Sequence, residues 1–276
     1  DGELILPDIA ESIKENNEKN SITTDDIEGI GMGVPGPVKD DGTVLKCVNL
    51  GWGVFNVEKA LSVICGGVKV KAGNDANVAA LGEMWQGGGK GYEDVVMITL
   101  GTGVGGGIIR GGKIVAGTNG AAGEIGHIPM IDDESECCGC GKKGCLEQYA
   151  SANGLVNVAE KYIAAHRTVE TELDLNAGFT AKDVCDAAKA GDIAGLAAVE
   201  ESMRLLGKAM ASVSCVIDPQ VFVVGGGLSK AGNIIIDTAS KYYKEYAFHA
   251  SRETEIKLAT LGNAAGMYGG VKMVIG

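Results

Sequence analysis

One histidine and three cysteines, His127, Cys138, Cys140 and Cys145, fall within a short stretch of this chain, and they constrain its fold more than any other feature. The stretch reads Glu124-Ile125-Gly126-His127, then Cys138-Gly139-Cys140-Gly141-Lys142-Lys143-Gly144-Cys145-Leu146-Glu147. Three thiols and an imidazole are the donors of a closed structural zinc site, and two of the cysteines flank a single glycine in a segment too polar for a core. For the donors to meet, the chain between them must double back as a loop. Thiols without a metal explain a lone Cys-x-Cys equally well; Cys145 and His127 make the metal the better explanation. The glutamates at the edges, Glu124 and Glu147, suggest a metal that shapes a polar pocket, with the acids facing a small ligand.

The rest of the composition fits a soluble enzyme-sized body. With 276 residues, 45% of them hydrophobic, the chain can bury one large or two moderate cores. Its 44 glycines are dispersed, which points to many tight junctions between strand, turn and helix and away from low complexity. A net charge of -12 without any run of Lys or Arg argues against an extended nucleic-acid surface, which needs concentrated positive charge. Four of the eight cysteines cluster with metal-site spacing, as expected in a reducing compartment. The others, Cys47, Cys65, Cys185 and Cys215, stand among apolar residues and read as core fillers. With no signal peptide and no apolar run long enough to cross a bilayer, a soluble cytoplasmic protein is expected, with no membrane partner.

Along the chain, strand-like and helix-like patterns alternate. Leu4, Ile5, Ile9 and Ile13 recur at helical spacing. Residues 27–33 read as a buried strand entering the turn Val34-Pro35-Gly36-Pro37, and 43–48 and 68–72 as further strands. A helix is expected over 76–86, capped by Asn74 or Asp75 and ended by Gly87-Gly88-Gly89. Strands at 95–100 and 104–109 flank a glycine hinge. Helices follow at 146–165, 181–190 and 193–215, the second introduced by the capping pattern Thr180-x-x-Asp183. A strand at 221–224, a helix at 233–246, a strand at 255–261 and a small-residue helix at 264–274 complete an α/β order. The glycine-rich 87–91 stretch is the natural place for a boundary.

Two glycine runs could approach a ligand closely. Leu100-Gly101-Thr102-Gly103-Val104-Gly105-Gly106-Gly107 lies between strands and can offer backbone N–H groups and the Thr102 hydroxyl to an anion. It is neither a P-loop nor a dinucleotide fingerprint, since no Gly-Lys-Ser/Thr and no helix follows. Val224-Gly225-Gly226-Gly227-Leu228, after a strand, could let a flat ring or ribose lie on the backbone. A tight hairpin or a close strand–helix crossing explains either run equally well. Asp75 at a helix start would be held ionised by the helix dipole and could accept a proton from a hydroxyl; simple capping is the alternative. Glu147 also suits a first helical turn. His166 and His249 read as surface groups at helix ends, and Trp52 as a core anchor or a pocket wall.

Taken together, these motifs resemble the ROK family of sugar kinases and repressors, most closely its bacterial glucokinases. The turn at residues 33–37, Asn49-Leu50-Gly51-Trp52, Asn74-Asp75, the Leu100–Gly107 loop, Glu124-x-Gly-His127, the cysteine loop ending on Glu147 and Val224–Leu228 occur in the family's order. The resemblance implies an α/β, actin-like ATPase (ribonuclease H-like) fold with two α/β domains around a central cleft. It divides the chain into a small domain at 1–91, a large domain with the zinc loop at 92–261, and a C-terminal helix at 262–276 returning to the small domain. It implies transfer of the ATP γ-phosphate to a hexose, glucose before fructose, N-acetylmannosamine or allose, with Mg2+ and a structural Zn2+, in a homodimer that binds no nucleic acid. Asp75 would be the base. Asn74, Asp75, Glu124, His127 and Glu147, with Gly36 and Asn49, would hold the sugar; Thr102, Gly103, Gly225, Gly226 and Gly227 the nucleotide; His127, Cys138, Cys140 and Cys145 the zinc. A sugar-sensing repressor or a non-catalytic sugar binder are the alternatives the family allows, and the intact Asn74-Asp75 pair favours the kinase.

One departure stands out. The family's first strand, carrying Asp-x-Gly-Gly-Thr for phosphates and magnesium, has no counterpart after Asp1-Gly2-Glu3. The sequence is therefore expected to be a fragment of a longer kinase or a copy that lost that strand, and to be inactive as a kinase until the strand is restored.

Overall fold

The computed structural model describes residues 2–276; Asp1, on which the reading of the chain's start partly rests, lies outside the described residues. In chain order the elements are α1 (Ile5–Lys19), β1 (Ile30–Val34), β2 (Thr43–Val44), β3 (Phe55–Asn56), α2 (Val57–Ile64), β4 (Val70–Asn74), α3 (Asp75–Gln86), β5 (Val95–Leu100), β6 (Val104–Arg110) and β7 (Lys113–Ile114). There follow α4 (Glu147–Ala150), α5 (Ala152–Ala165), α6 (Ala181–Ala190), α7 (Ile193–Ile217), β8 (Val221–Gly225), α8 (Asn233–Tyr246), β9 (Glu255–Leu258) and α9 (Ala265–Ile275). The chain forms two compact units: Asp1–Asp94 with Gly107–Gly123 and Asn263–Gly276, and Val95–Gly106 with Glu124–Gly262.

In the first unit β1 and β4 pair in parallel, Ile30 opposite Val70 and Val34 opposite Asn74. Both strands therefore end together, which places the Val34–Pro37 turn beside Asn74. Leu6, Val34, Val44, Trp52, Val57, Leu61 and Val70 share one buried cluster. Trp52 is the core anchor of the two readings open for it: it is 7% exposed, meets Phe55 edge to face, and its indole N–H donates to the Gly2 carbonyl at 2.8 Å. Helix α9 lies on α3 with almost no side chain between them. A Cβ on Gly82 would overlap the Ala265 carbonyl, and one on Gly269 the Val78 carbonyl. The end of β6 turns back on β7, Ile109 opposite Ile114.

In the second unit β8 lies between β5 and β9, parallel to both, with the start of β6 on the far side of β5. All five residues of β8 are buried, as expected of a parallel strand covered on both faces. Helix α7 buries a continuous stripe from Ala194 to Ser214. Helix α6 begins with the Thr180–Asp183 capping box that its sequence pattern predicts, the two side chains 2.7 Å apart.

Three expectations change. The strand expected over 43–48 is only Thr43–Val44, because Leu45 N–H turns back to Pro37 and Cys47 exchanges hydrogen bonds with Trp52. The helix expected over 146–165 breaks at Ser151, whose extended backbone and hydroxyl, accepting from Gly154 N–H at 2.9 Å, restart it as α5. Cys215 is exposed, beside an exposed Val216, and is no core filler; Cys65 is half-buried, while Cys47 and Cys185 are buried. Among the described residues no helix is long and apolar enough to cross a membrane.

Candidate active site and metal loop

The strand–helix junction of the first unit resolves which of two residues caps the helix. Asn74 is the cap: its Oδ1 accepts from Ala76 and Asn77 N–H at 3.0 and 3.2 Å, and its Nδ2 donates to the Gly36 carbonyl at 3.3 Å. Asp75 stands one position on, exposed, with Oδ1 accepting only from Ala76 N–H at 2.8 Å and its second oxygen uncommitted among the described residues. A carboxylate at a helix N-terminus with a free oxygen can take a proton. Gly36 thus adjoins Asn74. Asn49 is exposed in a short turn (Val48–Leu50), and among the described residues no hydrogen bond brings it to Asn74 or Asp75.

In the second unit the four soft donors converge. One ligand atom from each of His127, Cys138, Cys140 and Cys145 lies within 4.8 Å of the others. Cys140 and Cys145 sulfurs are 3.7 Å apart, and Cys138 Sγ is 3.7 Å from His127 Nδ1. Sulfurs bound tetrahedrally to zinc at about 2.3 Å stand about 3.8 Å apart, so the donor set fits that ion. His127 turns Nδ1 to the sulfurs and Nε2 outward, 3.8 Å from Glu124 Oε2.

Local hydrogen bonds shape the loop. Cys138 N–H donates to Lys142 and Gly141 N–H to Cys138, a tight turn around Cys140; Met130 and Leu146 N–H groups tie both ends together through Gly144 and Ile128. Behind it Glu134, with only 8% of its side chain exposed, accepts from Tyr149 Oη and pairs with Lys161 at 3.2 Å. The tyrosine hydrogen bond holds the Glu134 carboxyl down to about 2. Burial pushes the Cys145 thiol up to about 12 and raises Cys138, whereas a backbone hydrogen bond from Lys142 lowers Cys140. A metal entering this cluster would therefore displace protons.

Glu147 opens α4 at the edge of the loop. Its Oε2 accepts from Val104 N–H at 3.0 Å and its Oε1 lies 3.6 Å from Cys138 Sγ. The turn from β5 to β6 is held in two more places: Gly101 N–H donates to Gly103, and Ala152 N–H to Gly101. Val104 and Gly101 N–H groups are thus engaged, and among the described residues the Thr102 and Gly103 N–H groups are the donors the turn retains.

That turn and the one after β8 share a pocket of about 970 Å³. Thr102 and Gly227 line it; Gly103, Gly225 and Gly226 do not, although Gly226 (φ +88°) makes the bend that delivers Gly227. Its walls are mostly apolar, with Val156, Phe179, Cys185 and Leu228. Lys182, Lys189 and Lys230 supply positive charge at its rim. Asp186 pairs with Lys182 at 2.6 Å and Lys189 at 3.8 Å, and Lys230 has no ion pair among the described residues. Reading the sequence missed this wall of α6, although the capping box at Thr180 marked where it begins.

Two α/β units, paired glycine turns on a parallel sheet and a loop gathering one histidine with three cysteines define a protein of the actin-like ATPase class. The ROK family model matches residues 3–276, and the chain belongs to that family. It is 41% identical to a glucokinase of Halalkalibacterium halodurans over 98% of this chain and 82% of that one. A xylose repressor of Caldicellulosiruptor bescii is 30% identical across all of this chain and 69% of its own. Among solved structures, a ROK family glucokinase from Streptomyces griseus in complex with glucose and AMPPNP is 33% identical, with a TM-score of 0.73 over 96% of this chain and 86% of that one.

Proposed function

We propose that this protein transfers the γ-phosphate of ATP to the 6-hydroxyl of glucose, with Asp75 as general base. The observation that carries the reading is the separation of roles at the β4–α3 junction. Asn74 accepts from two first-turn N–H groups, whereas Asp75 shares only one of them through Oδ1 and keeps its other oxygen available for a hydroxyl proton. The glucokinase relatives support the substrate pair, and the shared pocket of the two glycine turns supports a nucleotide in the second unit.

Hexoses offer hydroxyls, which acids, amides and imidazoles bind well. Asn74, Glu124, His127 and Glu147 would hold them, with Gly36 and Asn49 nearby. Thr102 and Gly227, which line the pocket, would receive the nucleotide, with Gly103, Gly225 and Gly226 shaping the turns behind them. Zinc on His127 Nδ1 and the three sulfurs would fix the imidazole's tautomer, leaving Nε2 to face the sugar. It would do no Lewis-acid work. Asp186, the carboxylate lining the pocket, pairs with Lys182 and Lys189, and magnesium arriving with ATP would neutralise part of the phosphate charge. Cytoplasmic residence and the homodimer belong to the same proposal.

The test is a coupled assay of ADP release by the full-length protein, with ATP and a panel of hexoses. Glucose should give the highest kcat/KM. A protein that binds sugar but releases no ADP above its Asp75→Asn variant would make it a sensor instead.

A further inference from the structure

One carboxylate in the second unit touches both the metal loop and the pocket turn. Glu147 Oε2 accepts from Val104 N–H at 3.0 Å, while Oε1 faces Cys138 Sγ at 3.6 Å. The fit is close: a Cβ on Gly103 would overlap Glu147 Oε2, so the turn and the carboxylate are in direct contact. Glu147 also sits only two residues beyond Cys145, which is fully buried in the donor cluster. The helix it opens has four residues, too short to hold its own geometry. A metal on Cys138 Sγ would leave no thiol proton for Oε1, so what places Glu147 in the closed loop is its two-residue link to Cys145 on one side and Val104 on the other.

We propose that Glu147 is a positioning residue for the nucleotide: it ties the Gly101–Val104 turn to the metal loop, so that a closed loop raises nucleotide affinity even when no sugar is present. This rests on the reading of the pocket as a nucleotide site. The physical argument is preorganisation. A turn whose N–H groups must face phosphate is costly to order, and a carboxylate that already fixes Val104 removes part of that cost before binding. A hydrogen bond to a charged acceptor is strong enough for its loss to matter, on the order of ten-fold in affinity. A residue that only bound sugar would leave sugar-free nucleotide affinity untouched.

The test is AMPPNP binding to the full-length protein without sugar, at fixed magnesium, before and after zinc-selective chelation, in the wild type, Glu147→Ala and Glu147→Gln. Amide hydrogen exchange of the peptide spanning Val104 is followed alongside. Chelation should weaken AMPPNP binding of the wild type by about ten-fold and speed exchange at Val104. Glu147→Ala should show the weaker binding from the outset and no further response to chelation, the non-additivity expected of groups acting in one chain of contacts. Glu147→Gln keeps an oxygen for Val104 and should stay within about three-fold of the wild type. A wild type with no affinity for AMPPNP overturns the nucleotide reading and this inference together. A wild type that binds, with Glu147→Ala binding equally well or with Val104 exchange indifferent to chelation, overturns the inference alone. The exchange readout needs no variant, so the inference can still be overturned on the wild type alone if Glu147→Ala fails to fold.

Discussion

The β4–α3 junction and the metal loop hold their chemical groups by opposite means. At the junction, two parallel strands ending in register and a side-chain cap place Asp75, and regular structure does the positioning. In the loop, most of the chain from His127 to Glu147 lacks regular structure, and the donors are held by turns and a carboxylate–tyrosine contact, with the proposed zinc the group that would join them. A group placed by a strand and a helix can be altered with little effect beyond its own chemistry. A group placed by a loop carries the loop's stability with it.

The sharpest way to break this comparison is Asp75→Asn. Turnover should fall by about two to four orders of magnitude, with glucose affinity and melting temperature nearly unchanged, because Asn74 keeps the cap. A variant that melts early would show that the junction, too, depends on its functional group. Next in size, removing zinc or changing Cys145 to Ser should cost about 2–4 kcal/mol, open the 128–146 segment to protease and weaken sugar binding together. Elemental analysis finding no zinc in freshly purified protein would end the metal reading.

A smaller effect concerns Glu134. Its carboxyl is held at about 2 against an ordinary 4.5, so its contribution to stability is complete above about pH 4.5 and is lost as pH falls toward 2. Tyr149→Phe removes the main cause and should flatten that acid slope, costing about 1–2 kcal/mol at neutral pH and little at pH 2. Denaturant titrations of both proteins across that range decide it; parallel slopes would place the acid sensitivity elsewhere. Smallest, Asn74→Ala should cost about 1 kcal/mol from the lost cap, whereas Asn74→Asp, which retains an acceptor, should cost a few tenths. Equal losses would mean that the Gly36 contact, and not the cap, is what Asn74 supplies.

What could be seen in the sequence follows from the range of each interaction. The four metal donors were visible because they are chemically alike and crowded, and the α6 capping box because its partners are three residues apart. The choice between Asn74 and Asp75 as cap was not, since either side chain suits the position and only the observed hydrogen bonds distinguish them. The break at Ser151 was hidden beneath a helical period that continues across it. Least visible was the bond from Val104 to Glu147, between residues 43 apart with nothing unusual about the valine. The pocket wall from Phe179 to Lys189 was missed because lysines and alanines on a helix look like any solvated face.

The packing of α9 on α3 bears on how the protein is made. The first unit is assembled from three separated pieces of chain, and its last piece, residues 263–276, supplies the helix that seats α3. At typical rates of synthesis, the roughly 190 residues between Asp75 and α9 take about 10–40 s to emerge. Throughout that interval α3 lacks the surface against which Gly82 and Val78 pack, while the second unit's strands are still arriving. A ribosome stall or a nonsense codon shortly before residue 263 would leave the whole second unit synthesised and the β4–α3 junction unsupported. The residue proposed to take the proton is among the earlier ones made and among the last to be seated.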